Sequence, residues 1–340
     1  MNLLTVTRIN DRKKISPYER RICMVKKFSR RDFLKRSSTL GVSAVLGGAA
    51  LPHMFKGSLF TLDNEPLDIT VVKGQDYAAN TYKAVELLGG IEKFVPKGAK
   101  VALLPNTQSR HPGTFTKPDI LRAVIQMCKK AGAKEVNCLS WLRQKHWDST
   151  GLSKAVEEEG ANLKLIDMKD ETQYKAVPLA NGKILKEAKI FNDLFDSDVF
   201  IDMPITKDHA GNRFTGTLKN YMGLNFQAIN GTFHTGDRRR EISDDIEHLD
   251  QCIADLNLAL KPTLCIVDGT ELITTNGPFG PGELIKPMKV IAGTDRVAID
   301  SYCTTLWGMK GTDIIMIKKA FEHGIGEIDL NKVKIKEVSI

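Results

Sequence analysis

Lys100-Val101-Ala102-Leu103-Leu104-Pro105-Asn106 is a short apolar run that ends in a polar segment, Thr107-Gln108-Ser109-Arg110-His111-Pro112-Gly113, and its reading decides the fold. Too short for a helix of ordinary length, the run reads as a buried strand. Residues 117–130 come next with Ile120, Leu121, Val124, Ile125 and Cys128 at helical spacing, so they form one apolar face. Thr116 with Asp119 reads as a capping box at the start of that helix, and Gly132 as its C-terminal stop. A second β-branched run, Glu135 to Leu139, succeeds it. Strand, amphipathic helix and strand in succession predict a parallel βαβ unit.

The same alternation continues outward. Further strands are expected at Ile69 to Val72, Leu163 to Ile166, Asp198 to Met203, Leu264 to Val267 and Lys289 to Ile291. Helices are expected from about Asp244 to Leu260 and from Asp295 to Trp307, and Thr172 to Lys189 reads as a β hairpin turning at Asn181-Gly182. The predicted class is α/β, a mainly parallel sheet with helices on both faces, Rossmann-like and three-layered. No internal repeat or low-complexity tract interrupts it.

The first 56 residues have a different character. Ser29-Arg30-Arg31-Asp32-Phe33-Leu34-Lys35 followed by a weakly apolar Gly/Ala-rich run from Thr39 to Pro52 forms a twin-arginine export pattern. Met24 lies just upstream and is an alternative translation start; Ala50 is the expected cleavage point. The apolar run falls short of the ~20 residues that span a bilayer, so no stable membrane anchor is expected. The expected organisation is a signal region over 1–56 and one α/β domain over 57–340. The expected location is the periplasm, with the twin-arginine machinery as partner.

The leader also explains the charge. The chain carries 49 Lys+Arg against 41 Asp+Glu, a formal +8, but residues 1–56 hold 13 of the former and 3 of the latter. The remainder, 36 against 38, is slightly acidic and has no basic run beyond Arg238-Arg239-Arg240, which argues against a nucleic-acid surface. Five cysteines lie beyond the leader, Cys128, Cys138, Cys252, Cys265 and Cys303, with no Cys-x-x-Cys pair. Most sit in apolar periodic segments as small hydrophobes, so a cysteine-ligated iron-sulfur site is not expected. A Cys128–Cys138 disulfide stays open in an oxidising compartment.

Ligands of open parallel sheets bind beyond the carboxyl ends of the strands. Asn106, Arg110 and His111 come after the Lys100 strand and are candidate ligand-binding residues. Lys207 and His209, two apart after the Asp198 strand, offer a fixed cation and a group titrating near neutrality, and are candidate catalytic residues; the plainer reading is a polar surface loop. Asp268, at the end of an apolar strand, either caps the next turn or completes that catalytic set. Lys219 and Asn220 are either ligand groups at the start of a helix or first-turn surface residues. Asn276, Asp295 and Asp300 complete the candidates, Asp295 also reading as a helix cap. His111, His209 and His234 lack metal-ligand spacing, which leaves a metal undetermined. G-x-S-x-G, P-loop and G-x-G-x-x-G patterns are absent, which removes sequence support for serine hydrolases, nucleotidases and the usual dinucleotide enzymes.

Several of these strand ends together resemble the domain of unknown function 362 family. The resemblance rests on Leu104-Pro105-Asn106, Lys130-Ala131-Gly132-Ala133-Lys134-Glu135-Val136, Lys207-x-His209, Leu218-Lys219-Asn220-x-x-Gly223, Val267-Asp268-Gly269, Asn276-Gly277-Pro278 and Ala292-Gly293-Thr294-Asp295-x-x-Ala298-x-Asp300. It covers roughly residues 67–326 and implies similarity to the N-terminal part of the nickel-pincer lactate racemase family. Many relatives add a ferredoxin-like module with clustered cysteines, a pattern missing here. The functional expectation is an exported enzyme acting on a small anionic, carboxylate-like metabolite by acid/base chemistry, with or without a metal. A periplasmic ligand-binding or accessory protein for another exported redox complex is the alternative.

Overall fold

The computed structural model describes residues 67–234 and 245–340. The leader and the arginines at 238–240 lie outside the described residues. In chain order the elements are β1 (Ile69–Lys73), α1 (Tyr77–Leu87), β2 (Lys100–Pro105), α2 (Pro118–Lys130), β3 (Glu135–Ser140), α3 (Gln144–Thr150), α4 (Leu152–Glu158) and β4 (Asn162–Leu165). The hairpin β5 (Tyr174–Pro178) and β6 (Glu187–Phe191) comes next, then α5 (Asn192–Phe195), β7 (Val199–Met203), α6 (Thr217–Asn220), α7 (Gln227–Thr232) and α8 (Ile246–Leu256). The chain ends with β8 (Leu264–Gly269), β9 (Leu272–Ile273), β10 (Leu284–Ile285), β11 (Lys289–Gly293), α9 (Arg296–Thr304), α10 (Ile315–Glu322) and β12 (Ile335–Ser339).

Eight strands form one sheet in the order β12-β1-β11-β8-β7-β2-β3-β4. All run the same way except β11, which is antiparallel to both β1 and β8. Alternate residues of each strand feed two cores. Val101 and Leu103 join α1, α2 and α4 on one face, while Ala102 and Leu104 join α8, α9, α10 and the β5–β6 hairpin on the other. This two-sided burial gives the three layers, and it makes the central strand β7 (Val-Phe-Ile-Asp-Met) buried at every position.

All seven expected strands are present, and the five expected apolar residues of α2 are buried. Three details differ. Thr116 does not cap α2; its hydroxyl donates to Met203 O at 2.7 Å and accepts the Asn106 N–H at 3.0 Å, fastening the exit of β2 to the end of β7. The N-cap is Lys117, with Pro118 after it, and the Lys117 N–H is taken by Asp268 Oδ2 at 2.8 Å. The hairpin is longer at its tip than a two-residue turn, because Asp255 of α8 captures the Ile184 and Leu185 N–H groups at 2.7 and 2.9 Å. The third difference is β11: residues 270–288, holding only β9 and β10, provide no crossover helix, so the strand returns antiparallel. Its last residue, Gly293, therefore pairs with Ile69 and Cys265 near the starts of β1 and β8, and the segment leaving β11 lies at the edge opposite the other strands' carboxyl ends.

Cys128, Cys138, Cys252, Cys265 and Cys303 are all buried free thiols, so the Cys128–Cys138 disulfide is not formed. Among the described residues no helix is long and apolar enough to cross a membrane.

Asp255 ties three elements together, since its second oxygen accepts from Gln251 Nε2 at 2.8 Å and contacts His323 Nε2 at 2.7 Å. Burial alone would raise this carboxyl, but the backbone donors of residues 183–185 and Gln251 hold it below the ordinary range. A depressed carboxylate contributes stability above its unfolded-state pKa and loses it as pH falls through the folded-state value. Asp255→Ala is expected to cost about 3–5 kcal/mol in denaturant unfolding at pH 7, and the deficit relative to wild type should shrink as the pH falls below 4. A deficit independent of pH would show that the carboxylate charge is not what holds the hairpin.

Candidate functional site

β2 lies between β3 and β7, so the loops leaving their carboxyl ends converge. Between them is a cavity of about 280 Å³. The segment after β2 contributes Asn106 and Thr107, the segment after β3 contributes Trp141 and Leu142, and the segment after β7 contributes His209, Thr215, Lys219, Asn220 and His234. Among the described residues no aspartate or glutamate lines it.

The loop after β7 doubles back on itself, Lys207 and Thr215 exchanging backbone hydrogen bonds of 3.2 and 2.9 Å. It is clamped from outside by Gly277, whose N–H donates to Asp208 Oδ2 at 2.8 Å and whose carbonyl accepts the Ala210 N–H at 3.1 Å. A Cβ at Gly277 would stand 1.8 Å from the Asp208 carbonyl oxygen, so only glycine fits there.

Inside this frame, polar side chains form a directed chain. Lys207 Nζ donates to Asn106 Oδ1 at 3.3 Å and to Thr114 O at 2.7 Å. Asn106 Nδ2 donates to Asn220 Oδ1 at 3.2 Å, and Asn220 Nδ2 donates to Asp202 Oδ1 at 2.7 Å and to Leu104 O at 3.0 Å. Each amide's orientation is thereby fixed by its neighbours. Lys207 is fully buried and forms no ion pair among the described residues; burial, then repulsion from Lys219, brings its pKa down to about 7. His209 is held well below its usual range by burial and by Lys219, Lys207 and His234. Its Nδ1 accepts the Gly211 N–H at 3.0 Å, so the neutral ring carries its proton on Nε2.

α6 presents Lys219 and Asn220 because Asp300, buried in α9, accepts the Thr217 and Leu218 N–H groups at 2.7 and 3.0 Å. Asp300 is thus a support and not a ligand contact. Burial raises it to about 7 against those donors. Asp202 is raised well above the ordinary carboxylate range by burial, with Asp300 adding to the effect, and its Oδ2 has no hydrogen-bond partner among the described residues. Asp250 of α8, outside the lining, accepts from Asn212 Nδ2 and from the Met316 N–H, both at 3.0 Å; burial raises it to about 6, and Lys219 opposes that rise.

The sequence candidates therefore separate. Asn106, His209, Lys219 and Asn220 line the cavity and Lys207 stands directly behind Asn106. Asp268 does not reach it: its carboxylate is occupied by Thr270 and by the Lys117 N–H, and it organises the start of α2. Arg110 is exposed and His111 lies outside the lining, as does exposed Asn276, which donates to Pro281 O. Asp295 caps α9 by accepting the Ala298 N–H at 2.9 Å, at the sheet edge that the reversed β11 serves. Of the three histidines weighed as metal ligands, His209 and His234 line the cavity, and among the described residues no group of three His, Cys, Asp or Glu side chains could hold a metal.

Sequence reasoning missed Thr107, Trp141, Thr215 and Asp202. Trp141 sits directly after a strand end and Asp202 is the lone acid in an apolar strand, so both carried a signal; Thr215 is brought in only by the doubled-back loop. The hydroxyls of Thr107 and Thr215, two of the buried lining residues, have no partner among the described residues.

The family model described as domain of unknown function (DUF362) matches residues 101–305, and the chain belongs to that family. A thylakoid-associated protein of Synechocystis sp. is 27% identical over 252 residues, 70% of this chain and 74% of that protein. Among solved structures, the lactate racemase apoprotein from Thermoanaerobacterium thermosaccharolyticum is similar with a TM-score of 0.43 and 14% identity, covering 71% of this chain and 60% of that one. The chain thus spans less than two thirds of that enzyme's length.

Because Asp300 holds the first turn of α6, Asp300→Ala should leave two buried N–H groups unpaired and cost about 2–4 kcal/mol. Urea unfolding at pH 7 measures this, and a loss under about 0.5 kcal/mol would contradict the supporting role.

Proposed function

We propose that this member of the family binds a small carboxylate in the cavity beyond β2, β3 and β7 and acts on it by proton transfer. The carrying observation is the lining, which supplies Lys219, two imidazoles and two unpartnered buried hydroxyls, with no carboxylate among the described lining residues. A cavity rich in donors and cationic charge, with a lining free of carboxylates, is complementary to an anion. Lys219 is the direct counter-charge, Thr107 and Thr215 are donors to the ligand's oxygens, and the neutral His209 ring carries its proton on Nε2 as a hydrogen-bond donor. Lys207, with its pKa near 7 and its position behind Asn106, is the group able to exchange a proton with solvent pH changes in the working range.

Export through the twin-arginine pathway to the periplasm is part of the proposal, supported by Arg30-Arg31 and the apolar run after them. Arg30→Lys with Arg31→Lys should keep the full chain in the cytoplasmic fraction of a cell that has this pathway. Unchanged periplasmic recovery would overturn the export reading.

The ligand reading is tested with acetate, phenylacetate and citrate by thermal shift and calorimetry. At least one of these should raise the melting temperature of the wild-type protein, and the increase should vanish in Lys219→Met and in the double variant Lys207→Met/His209→Gln, with both variants still folded. In D₂O, the carbon next to the carboxylate of a bound probe should exchange its hydrogen in the wild type, with the deprotonated Lys207 amine as the base that takes the proton and returns a deuteron, and should not exchange in Lys207→Met. Stabilisation that persists in Lys219→Met would overturn the assignment; binding without exchange would leave a binding protein in place of an enzyme.

A further inference from the structure

The cavity lining holds two unlike sets of groups, the polar Lys219, Thr215 and His209 and the apolar Leu104, Trp141, Leu142 and Met222. The two sets meet along one short stretch of chain. Lys219 Nζ lies 3.8 Å from Met222 Sδ, and a Cβ placed on the next residue, Gly223, would be 3.8 Å from Leu104 Cδ1 and 4.0 Å from Trp141 Nε1. A side chain at 223 would fill the space against the indole, which glycine leaves open. Trp141 is only partly buried, and its indole N–H has no partner among the described residues.

Volume separates ligand sizes. An apolar cavity of ~150 Å³ accommodates a benzene ring, and this one measures about 280 Å³. A two-carbon acid held at Lys219 would leave the Trp141 and Met222 wall facing water, whereas a ring-sized body covers it.

Resting on the carboxylate reading above, we infer that the site selects a carboxylic acid bearing a ring-sized apolar body, with its carboxylate at Lys219 and its body against Trp141 and Met222. Sulfur and indole faces are both suited to aromatic contact. An inorganic oxyanion uses only half of the site.

The probes are acetate, phenylacetate and inorganic phosphate, titrated into the full chain with Kd read by calorimetry and tryptophan fluorescence recorded in parallel. Phenylacetate should bind at least about tenfold more tightly than acetate, consistent with burial of a ring's apolar surface. Trp141→Ala should bring phenylacetate down to the acetate level without changing acetate affinity. Trp141→Phe should keep the preference and lose the fluorescence change, because the other two tryptophans, Trp147 and Trp307, are outside the cavity lining. Equal affinities for acetate and phenylacetate would overturn this inference and leave the carboxylate reading standing. Phosphate binding more tightly than both acids would overturn both readings, and no binding of either acid would overturn this inference.

Discussion

A buried ammonium without an acid beside it is the constraint on which the site depends. Lys207 is fully enclosed, and among the described residues its nitrogen meets only the Thr114 carbonyl and the Asn106 amide oxygen. Taking an ionised group out of water without a counter-charge costs several kcal/mol, so such a group either gives up its proton or acquires an anion. Here the charge that acts on it is a second cation, Lys219, which pushes in the same direction as burial. The interior thus stores an electrostatic deficit that the proposed carboxylate would relieve, and the hydroxyls of Thr107 and Thr215, unpartnered among the described residues, add a hydrogen-bonding deficit that the same oxygens would relieve.

The remainder of the fold holds that deficit in place. Thr116 locks β2 to β7, Gly277 clamps the loop that carries Lys207 and His209, and Asp300 supports the turn that carries Lys219 and Asn220. Two buried carboxyls beneath the site, Asp202 and Asp300, both have their pKa values raised by burial, and the guanidinium of Arg296 moderates both. Asp202 bonds Asn220 and Asp300 bonds the first turn of α6, and among the described residues neither carboxyl bonds Lys207. A donor-rich pocket over a layer of carboxyls with raised pKa values can thus coexist with a stable core.

The strands and the α2 face were legible because apolar spacing is a local signal, and seven of the sheet's eight strands were read from it. β12 is half exposed, with no apolar run to mark it, and the reversal of β11 depends on the length of the preceding connection, which strand composition does not encode. The strand-end rule found Asn106, Lys207, His209, Lys219 and Asn220, all of which lie at or beside the cavity. The same rule over-reached at Asp295 because it assumed a parallel last strand. Asp268 and Asp300 were picked out as site carboxylates, with turn capping as the other reading of Asp268, and only packing shows that backbone N–H groups occupy both. Thr215 escaped because a doubled-back loop delivers it, and Trp141 because an indole beside a strand is ordinarily core.

The direct measurement is the titration of the Lys207 ε-carbon by NMR in the chain labelled at lysine, with and without saturating phenylacetate, using Lys207→Met to assign the resonance. In the free protein Lys207 should titrate near pH 7, and with the carboxylate bound its midpoint should move up by at least about one unit toward the ordinary lysine value. A midpoint that stays near 7 with the acid bound, or one already near 10 in the free protein, would contradict a site built around an unneutralised buried ammonium.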